Sequence, residues 1–367
     1  NGAERFLQGK CSPSQVKSWI RDERGFSIDL WKEMAALGWL GLIQDEKYGG
    51  TGGSYFDLCI LLQEMGKALL PGPFFCSAVL SGFLIAEAGS ESLKEAYLPQ
   101  LVRGEKILTI ALLDEQGRED HLRPKIEARW LGAGSYALTG KRLLVPYAQV
   151  ADEILLCANG LGAVAGGPTI FKAPLKAAGV QVTPLHTLTE EKLFTVHFED
   201  VKLAAGDIVG KPGQGADDLH TLRQIAVMGR CAEMVGGMER VVAMTVAYVK
   251  ERRQFGRPLG ALQAVQHFCA DMEAYLRTAQ FLTYQAASLL DERPIRACVK
   301  EIAMAKAWCS DAYKKCTWIA QQLHGGIGFT EEHDLHLYFK QAKAMELSFG
   351  DARFQRNIVA EAMGYGQ

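Results

Sequence analysis

Two stretches in the second half of the chain hold the residues with most chemical reach. The segment Gln321-Gln322-Leu323-His324-Gly325-Gly326-Ile327-Gly328-Phe329-Thr330 leaves a backbone bare enough for a bulky cofactor to lie against. It is not a G-x-G-x-x-G pattern, so a dinucleotide-type turn explains it poorly. Taken alone, its glycines read as a helix stop. The second stretch, Arg252-Arg253-Gln254-Phe255-Gly256-Arg257-Pro258-Leu259-Gly260, runs straight into Ala261-Leu262-Gln263-Ala264. Taken alone, Arg252 reads as a solvated arginine in a run of like charges. His333 and His336 follow the glycines, but a metal site needs tighter partners and a supporting acid, so no metal is expected.

The elements that must position these residues follow from the periodicities. To about Glu105 the apolar period is helical: Ile20, Leu30, Met34 and Leu37 precede the glycine-rich loop Tyr48–Gly53, and Leu58, Leu61, Leu62 and Met65 follow it. That loop lacks the Lys and Ser/Thr of a phosphate-binding P-loop. From Lys106 to about Gly210 the pattern becomes short runs of strand length: 107–113, 143–145, 153–156 and 194–198. Ala158-Asn159-Gly160 and Ala165-Gly166-Gly167 read as turns. Beyond Gly213 helix returns, and Val265, Phe268, Met272, Leu276, Ala279, Leu282, Ala286 and Leu290 make a long stripe that Pro294 ends. The expected organisation is a helical domain over 1–105, a β domain over 106–210 and a helical bundle over 211–367.

With 40 Lys plus Arg against 42 Asp plus Glu, the net charge of -2 gives no footprint for nucleic acid or an anionic membrane. The nine scattered cysteines never fall in a C-x-x-C pair, which argues against a disulfide framework and for buried packing in a reducing cytoplasm. No stretch reaches the roughly 18 apolar residues that a membrane span needs. The chain reads as soluble. It starts at Asn1 rather than Met, and natural residues are expected to precede that point.

In order along the chain stand Leu37-Gly38-Trp39, Tyr48-Gly49-Gly50-Thr51-Gly52-Gly53, Gln63-Glu64-Met65-Gly66-Lys67, Pro71-Gly72-Pro73, Leu138-Thr139-Gly140-Lys141 and Val196-His197-Phe198-Glu199-Asp200-Val201. With the two carboxy-terminal stretches, this series resembles the acyl-CoA dehydrogenase family over nearly the whole chain. The resemblance implies an α+β fold: an all-α amino-terminal domain, a middle β domain and a carboxy-terminal four-helix bundle. It implies FAD-dependent α,β-dehydrogenation of an acyl-CoA to the enoyl-CoA, with an electron-transfer flavoprotein as acceptor, in fatty, steroid or aromatic acid breakdown. It also implies an assembly of two or four chains, alike or unlike.

Residue by residue, the resemblance places Arg252 on the FAD diphosphate, where a planar charged fork suits two phosphates. It places Phe255 and Gln263 beside the cofactor, and Gln322, Gly325 and Gly326 at its adenosine end. Val145 and Pro146 stand where the family places small or hydroxyl residues beside the flavin ring, and Leu143 where a tryptophan often packs, so all three depart from the family wording. The usual catalytic glutamate is missing: its position holds Phe349, and the alternative position holds Ala226. Asp351, after Gly350, is the candidate base, although it also reads as the N-cap of the following helix. Glu233 and Glu346 come next. The alternative is a base-less FAD-binding subunit of a hetero-oligomer, with the base lent by an unlike chain, or a purely structural subunit of such an assembly. Gly82, Ala226, Gly229, Gly236 and Gly237 are expected to leave room for a bulky acyl chain.

Overall fold

The computed structural model describes residues 2–119, 122–161 and 167–365. The helices α1 (Gly2–Lys10), α2 (Pro13–Arg21), α3 (Ile28–Ala36), α4 (Tyr55–Ala68), a π-helix (Phe74–Ser81), α5 (Gly82–Ala88) and α6 (Glu91–Val102) come first. The glycine-rich loop separates α3 from α4 as expected. Helix α4 starts in a capping box: the Asp57 amide donates to Ser54 Oγ at 3.0 Å, and the Asp57 carboxylate accepts the Ser54 amide at 3.0 Å. The amides of Tyr55 and Phe56 donate to the Asp291 carboxylate at 2.7 and 3.1 Å, which places an anion on the positive end of α4.

The strands β1 (Leu108–Ala111), β2 (Glu127–Gly132), β3 (Ser135–Pro146), β4 (Glu153–Leu161), β5 (Gly167–Pro174), β6 (Val180–Leu185), β7 (Leu193–Ala204) and β8 (Ile208–Val209) form one sheet. Its order is β6-β7-β3-β2-β4-β5-β8, with β1 paired to β4. The four expected strand segments fall in β1, β3, β4 and β7. One turn reading is corrected: Ala158-Asn159-Gly160 continues β4 and pairs with Thr169, Pro168 and Gly167 of β5, because the ladder outweighs the local turn preference of Asn-Gly. The other expected turn includes Ala165-Gly166, which lies outside the described residues.

Helix returns in α7 (Gly215–Glu251), followed by a small hairpin of β9 (Arg253–Gln254) and β10 (Arg257–Pro258), then α8 (Gln263–Glu292), α9 (Val299–His324), α10 (Leu335–Leu347) and α11 (Ala352–Ala362). The apolar stripe of α8 is core: Val265, Met272, Leu276, Ala279, Ala286 and Leu290 are buried, while Phe268 remains part-exposed. No helix among the described residues is long and apolar enough to cross a membrane. Eight of the nine thiols are buried and Cys269 is half-buried, as packing cysteines are.

The chain divides into two compact units. One comprises Asn1–Val16, Ser54–Leu70 and Gln224–Gln367, the other Lys17–Gly53 and Pro71–Arg223. Within the first, Gly236 and Gly237, two of the glycines expected to leave acyl room, are filled. A Cβ on Gly236 would come 1.8 Å from the Gln63 carbonyl oxygen, and one on Gly237 would come 2.2 Å from the Tyr313 hydroxyl. Their small size serves a close helix crossing rather than a cavity. Ala226 is fully buried in α7. In the second unit, the space over Gly82 is met by the Gln44 amide, 3.0 Å from where a Cβ would stand.

Candidate functional site

Helix α7 ends by handing its last hydrogen bond to the segment the sequence singles out. The Arg252 amide donates to Tyr248 O at 2.8 Å, and Arg252 O accepts the Leu259 amide at 2.8 Å, closing the β9–β10 hairpin. At its tip Phe255 has φ 54 and Gly256 φ 76. Two successive positive values are the signature of a type I′ turn, which matches the twist of a two-residue hairpin. Glycine adopts such values freely, whereas a phenylalanine there costs roughly 1–2 kcal/mol. Phe255 is 85% exposed, and Arg252 is exposed beside it.

Five residues after Pro258, Gln263 opens α8 on the surface. Leu262 provides no side-chain cap, and the first turn contains no acid. The amides and the positive dipole end of a 30-residue helix are therefore not neutralised from within this turn.

The glycine loop begins where α9 stops. Gly325 has φ 65 and ψ -144, a conformation that belongs to glycine. A Cβ on Gly325 or on Gly326 would meet nothing within 4 Å, so the backbone here is open to a ligand. Gln322 is exposed one turn before it.

The structure brings this loop and the hairpin together through a residue the sequence did not single out. Tyr248 stacks on the His324 ring, with centroids 4.3 Å apart and planes at 22°, and its hydroxyl donates to His324 O at 3.2 Å. Tyr248 lies one helical turn before Arg252, and His324 directly precedes Gly325. The His324 ring is buried, with Nδ1 2.8 Å from Ala320 O, and burial lowers its pKa. Among the described residues no three His, Cys, Asp or Glu side chains gather as metal ligands would.

The candidate base lies in the connection from α10 to α11. Phe349 has φ 56 and Gly350 φ 88. Asp351 caps α11, with Oδ1 accepting the Phe354 amide at 2.8 Å. The two alternative carboxylates are tied up in ion pairs. Glu233 is 2.6 Å from the Arg230 guanidinium. Glu346 meets Lys314 at 2.8 Å and Lys343 at 2.9 Å. Burial pushes the Glu346 pKa up, but these two cations outweigh it and hold the group below the usual carboxylate range.

Val145 belongs to the sheet unit. It is fully buried near the end of β3 opposite Phe194, next to a register shift that puts Leu144 at φ 52. Its side chain fills the core of that unit, so a ligand could be offered only its backbone. Leu143 and Pro146 are half-buried.

Two family models match the chain: acyl-CoA dehydrogenase, N-terminal domain, over residues 1–105, and acyl-CoA dehydrogenase, C-terminal domain, over 220–364. Acyl-CoA dehydrogenase FadE27 of Mycobacterium tuberculosis is 30% identical over 358 residues, covering 96% of this chain and 92% of the relative. Among solved structures, the ChsE4-ChsE5 complex of Mycobacterium tuberculosis is similar with a TM-score of 0.89 at 28% identity, covering 100% of this chain and 96% of that one. Butyryl-CoA dehydrogenase of Megasphaera elsdenii gives 0.89 at 26% identity, covering 98% and 96%.

Proposed function

The chain belongs to the acyl-CoA dehydrogenase family, and from that membership we propose that it binds FAD noncovalently and takes part in the α,β-dehydrogenation of an acyl-CoA thioester. One observation carries the reading: Tyr248 on His324 joins a hairpin bearing an exposed arginine to an open glycine backbone. These residues fit a dinucleotide. Arg252 and the acid-free first turn of α8, with Gln263, would hold the diphosphate. Phe255 would pack on the cofactor, while Gln322, Gly325 and Gly326 would meet its adenosine end. Gly350 would let backbone approach it, and Val145 would offer backbone at the ring edge. When bound, FAD supplies the hydride acceptor.

The protein's own task in such a reaction is to orient the thioester, exclude water and take a proton from its α carbon. Asp351 is the carboxylate assigned to that proton here. One of its oxygens caps α11 and, among the described residues, the other makes no hydrogen bond. An electron-transfer flavoprotein would be the acceptor of the two electrons.

A second reading is favoured by the ion pairs at Glu233 and Glu346, which leave few other acceptors near this turn. In it the chain holds FAD and an unlike subunit lends the base. That a ChsE4-ChsE5 complex is among its structural relatives supports considering it.

The purified chain should be yellow and should release free FAD on denaturation, and an acyl-CoA from a chain-length, branched and aromatic panel should bleach it anaerobically. A colourless chain that FAD does not reconstitute would sink both readings.

A further inference from the structure

Helix α9 carries a lysine with no access to solvent. Lys306 is fully buried, and its three N–H groups are shared among four acceptors, Met345 O at 3.0 Å, Glu346 O at 3.1 Å, Gly350 O at 3.2 Å and Ser310 Oγ at 3.1 Å from Nζ. Two of these carbonyls belong to the last turn of α10, where backbone oxygens have no partner inside the helix. The preceding one, Ala344 O, is taken by the Ser348 amide at 3.1 Å and the Ser348 hydroxyl at 2.9 Å. An ammonium is costly to bury, and it persists when carbonyls and the negative end of a helix surround it.

The other carbonyl, Gly350 O, lies in the turn with Phe349 at φ 56. That turn is held from the α11 side as well: Gln355, 1% exposed, donates Nε2 to Phe349 O at 2.7 Å. Asp351 then caps α11 through Phe354. From 348 to 351 every residue is tied by a backbone or side-chain bond that does not involve the Phe349 ring. A phenylalanine stays in the left-handed region only where its surroundings over-determine it.

We propose that Lys306 is a positioning residue: with Gln355 it fixes the Ser348–Asp351 turn, and so sets the direction in which residue 349 and the Asp351 carboxylate are presented to the acyl thioester. The thioester rests on the dehydrogenase reading; the clamp does not. Because the bonds that hold the turn come from α9 and α11, a different side chain at 349 inherits the same mount. A carboxylate placed there by Phe349→Glu arrives on a turn already set.

The experiment uses the full chain loaded with FAD and carrying Asp351→Asn, which keeps the cap but removes that base, with Phe349→Glu added alone and then combined with Lys306→Met or with Gln355→Leu. Hydrogen exchange at 348–355, acyl-CoA affinity, FAD content and the rate of flavin bleaching are measured on each. In that background Phe349→Glu should bleach faster than Asp351→Asn alone by roughly 10²–10⁴-fold, the contribution of a positioned base. Each clamp variant should then slow bleaching at least about tenfold, with acyl-CoA affinity and FAD content held within about twofold, while exchange at 348–355 rises about tenfold and α8 does not change. Unchanged exchange in both clamp variants overturns the proposal, as does faster exchange with an unaltered bleaching rate. A yellow Phe349→Glu chain in this background that bleaches no faster than Asp351→Asn alone overturns it too. If Lys306→Met does not fold, Gln355→Leu decides. A colourless chain removes the dehydrogenase reading, and exchange in the clamp variants then decides the clamp by itself.

Discussion

Gly66 in α4 lies against the backbone of Glu233 in α7, so close that a Cβ at 66 would come 2.2 Å from the Glu233 carbonyl oxygen. With Gly236 against Gln63, the two helices exchange glycines across one crossing. A methyl group at either position meets backbone, which cannot swing aside as a flexible side chain can. Gly66→Ala and Gly236→Ala should each destabilise the chain by about 3 kcal/mol or more, the upper end for overpacking. Urea unfolding of the variants checks this, and a loss under about 1 kcal/mol would show that the helices can part without penalty.

Asp351 has two separable duties. Asparagine caps helices as well as aspartate, so Asp351→Asn should leave stability almost unchanged, whereas Asp351→Ala should cost about 1 kcal/mol. If Asp351 also takes the α proton, Asp351→Asn keeps FAD and slows flavin bleaching by an acyl-CoA by roughly 10²–10⁴-fold. Equal bleaching in parent and variant removes Asp351 from the chemistry. Absence of bleaching in both, restored by an added unlike subunit, selects the lent base.

The hairpin tip should trade stability against binding. Asparagine and glycine are the preferred pair for a type I′ turn. Phe255→Asn should therefore stabilise the fold by about 1 kcal/mol through relief of the left-handed strain, while lowering FAD retention because the ring is gone. Arg252→Ala should weaken FAD by roughly 1.5–3 kcal/mol, the range for a hydrogen bond to a charged group. Equilibrium dialysis of FAD against each variant is the measurement, and full retention in Arg252→Ala would show the diphosphate lies elsewhere.

Lys306 gives the chain a pH signature. Burial pulls its pKa from 10.5 down to about 8, with the Cys231 and Cys309 thiols and Glu346 opposing that shift and Arg230 adding to it. The unfolded chain keeps this proton to about pH 10.4. Between those limits the unfolded state binds more protons, so this group's contribution to stability rises with pH and is lost again as pH falls through 8. The difference in unfolding free energy between the parent and Lys306→Met should grow by about 3 kcal/mol from pH 7.5 to 10.5. A flat difference would mean the ammonium is solvated in the folded chain.

How far the sequence carried these conclusions depended on the range of the signal. The α8 stripe was legible because a 3.6-residue period sustained over a long helix has no competing explanation. Strand β2, with Glu127, Arg129 and Trp130, was not legible, since Glu127, Arg129 and Leu131 face solvent and only Ala128 is buried outright. Arg252, Gln263 and the Gly325-Gly326 pair, proposed for the cofactor, stood out in the sequence only as residue types at a spacing. Tyr248 was not, because its partner His324 is 76 residues away and no local pattern announces the pair. Gly236 misled: a small residue signals close approach, and sequence does not say whether a ligand or another helix approaches. The hairpin tip was illegible for the opposite reason, since Phe255 is a poor residue for the turn it makes.

Asp291 holds the first amides of α4 from 236 and 235 positions downstream, inside a unit sewn from three separate stretches of chain. This imposes an order on biosynthesis. At roughly 5–20 residues per second, α4 leaves the ribosome some ten to thirty seconds before the residues after Gln224 that complete its surroundings. Through that interval Leu58, Leu61 and Leu62, all buried in the finished fold, have no finished core to enter. The nascent chain is then a client for holding chaperones, and a message truncated ahead of α8 yields a fragment that is sticky by construction rather than merely inactive.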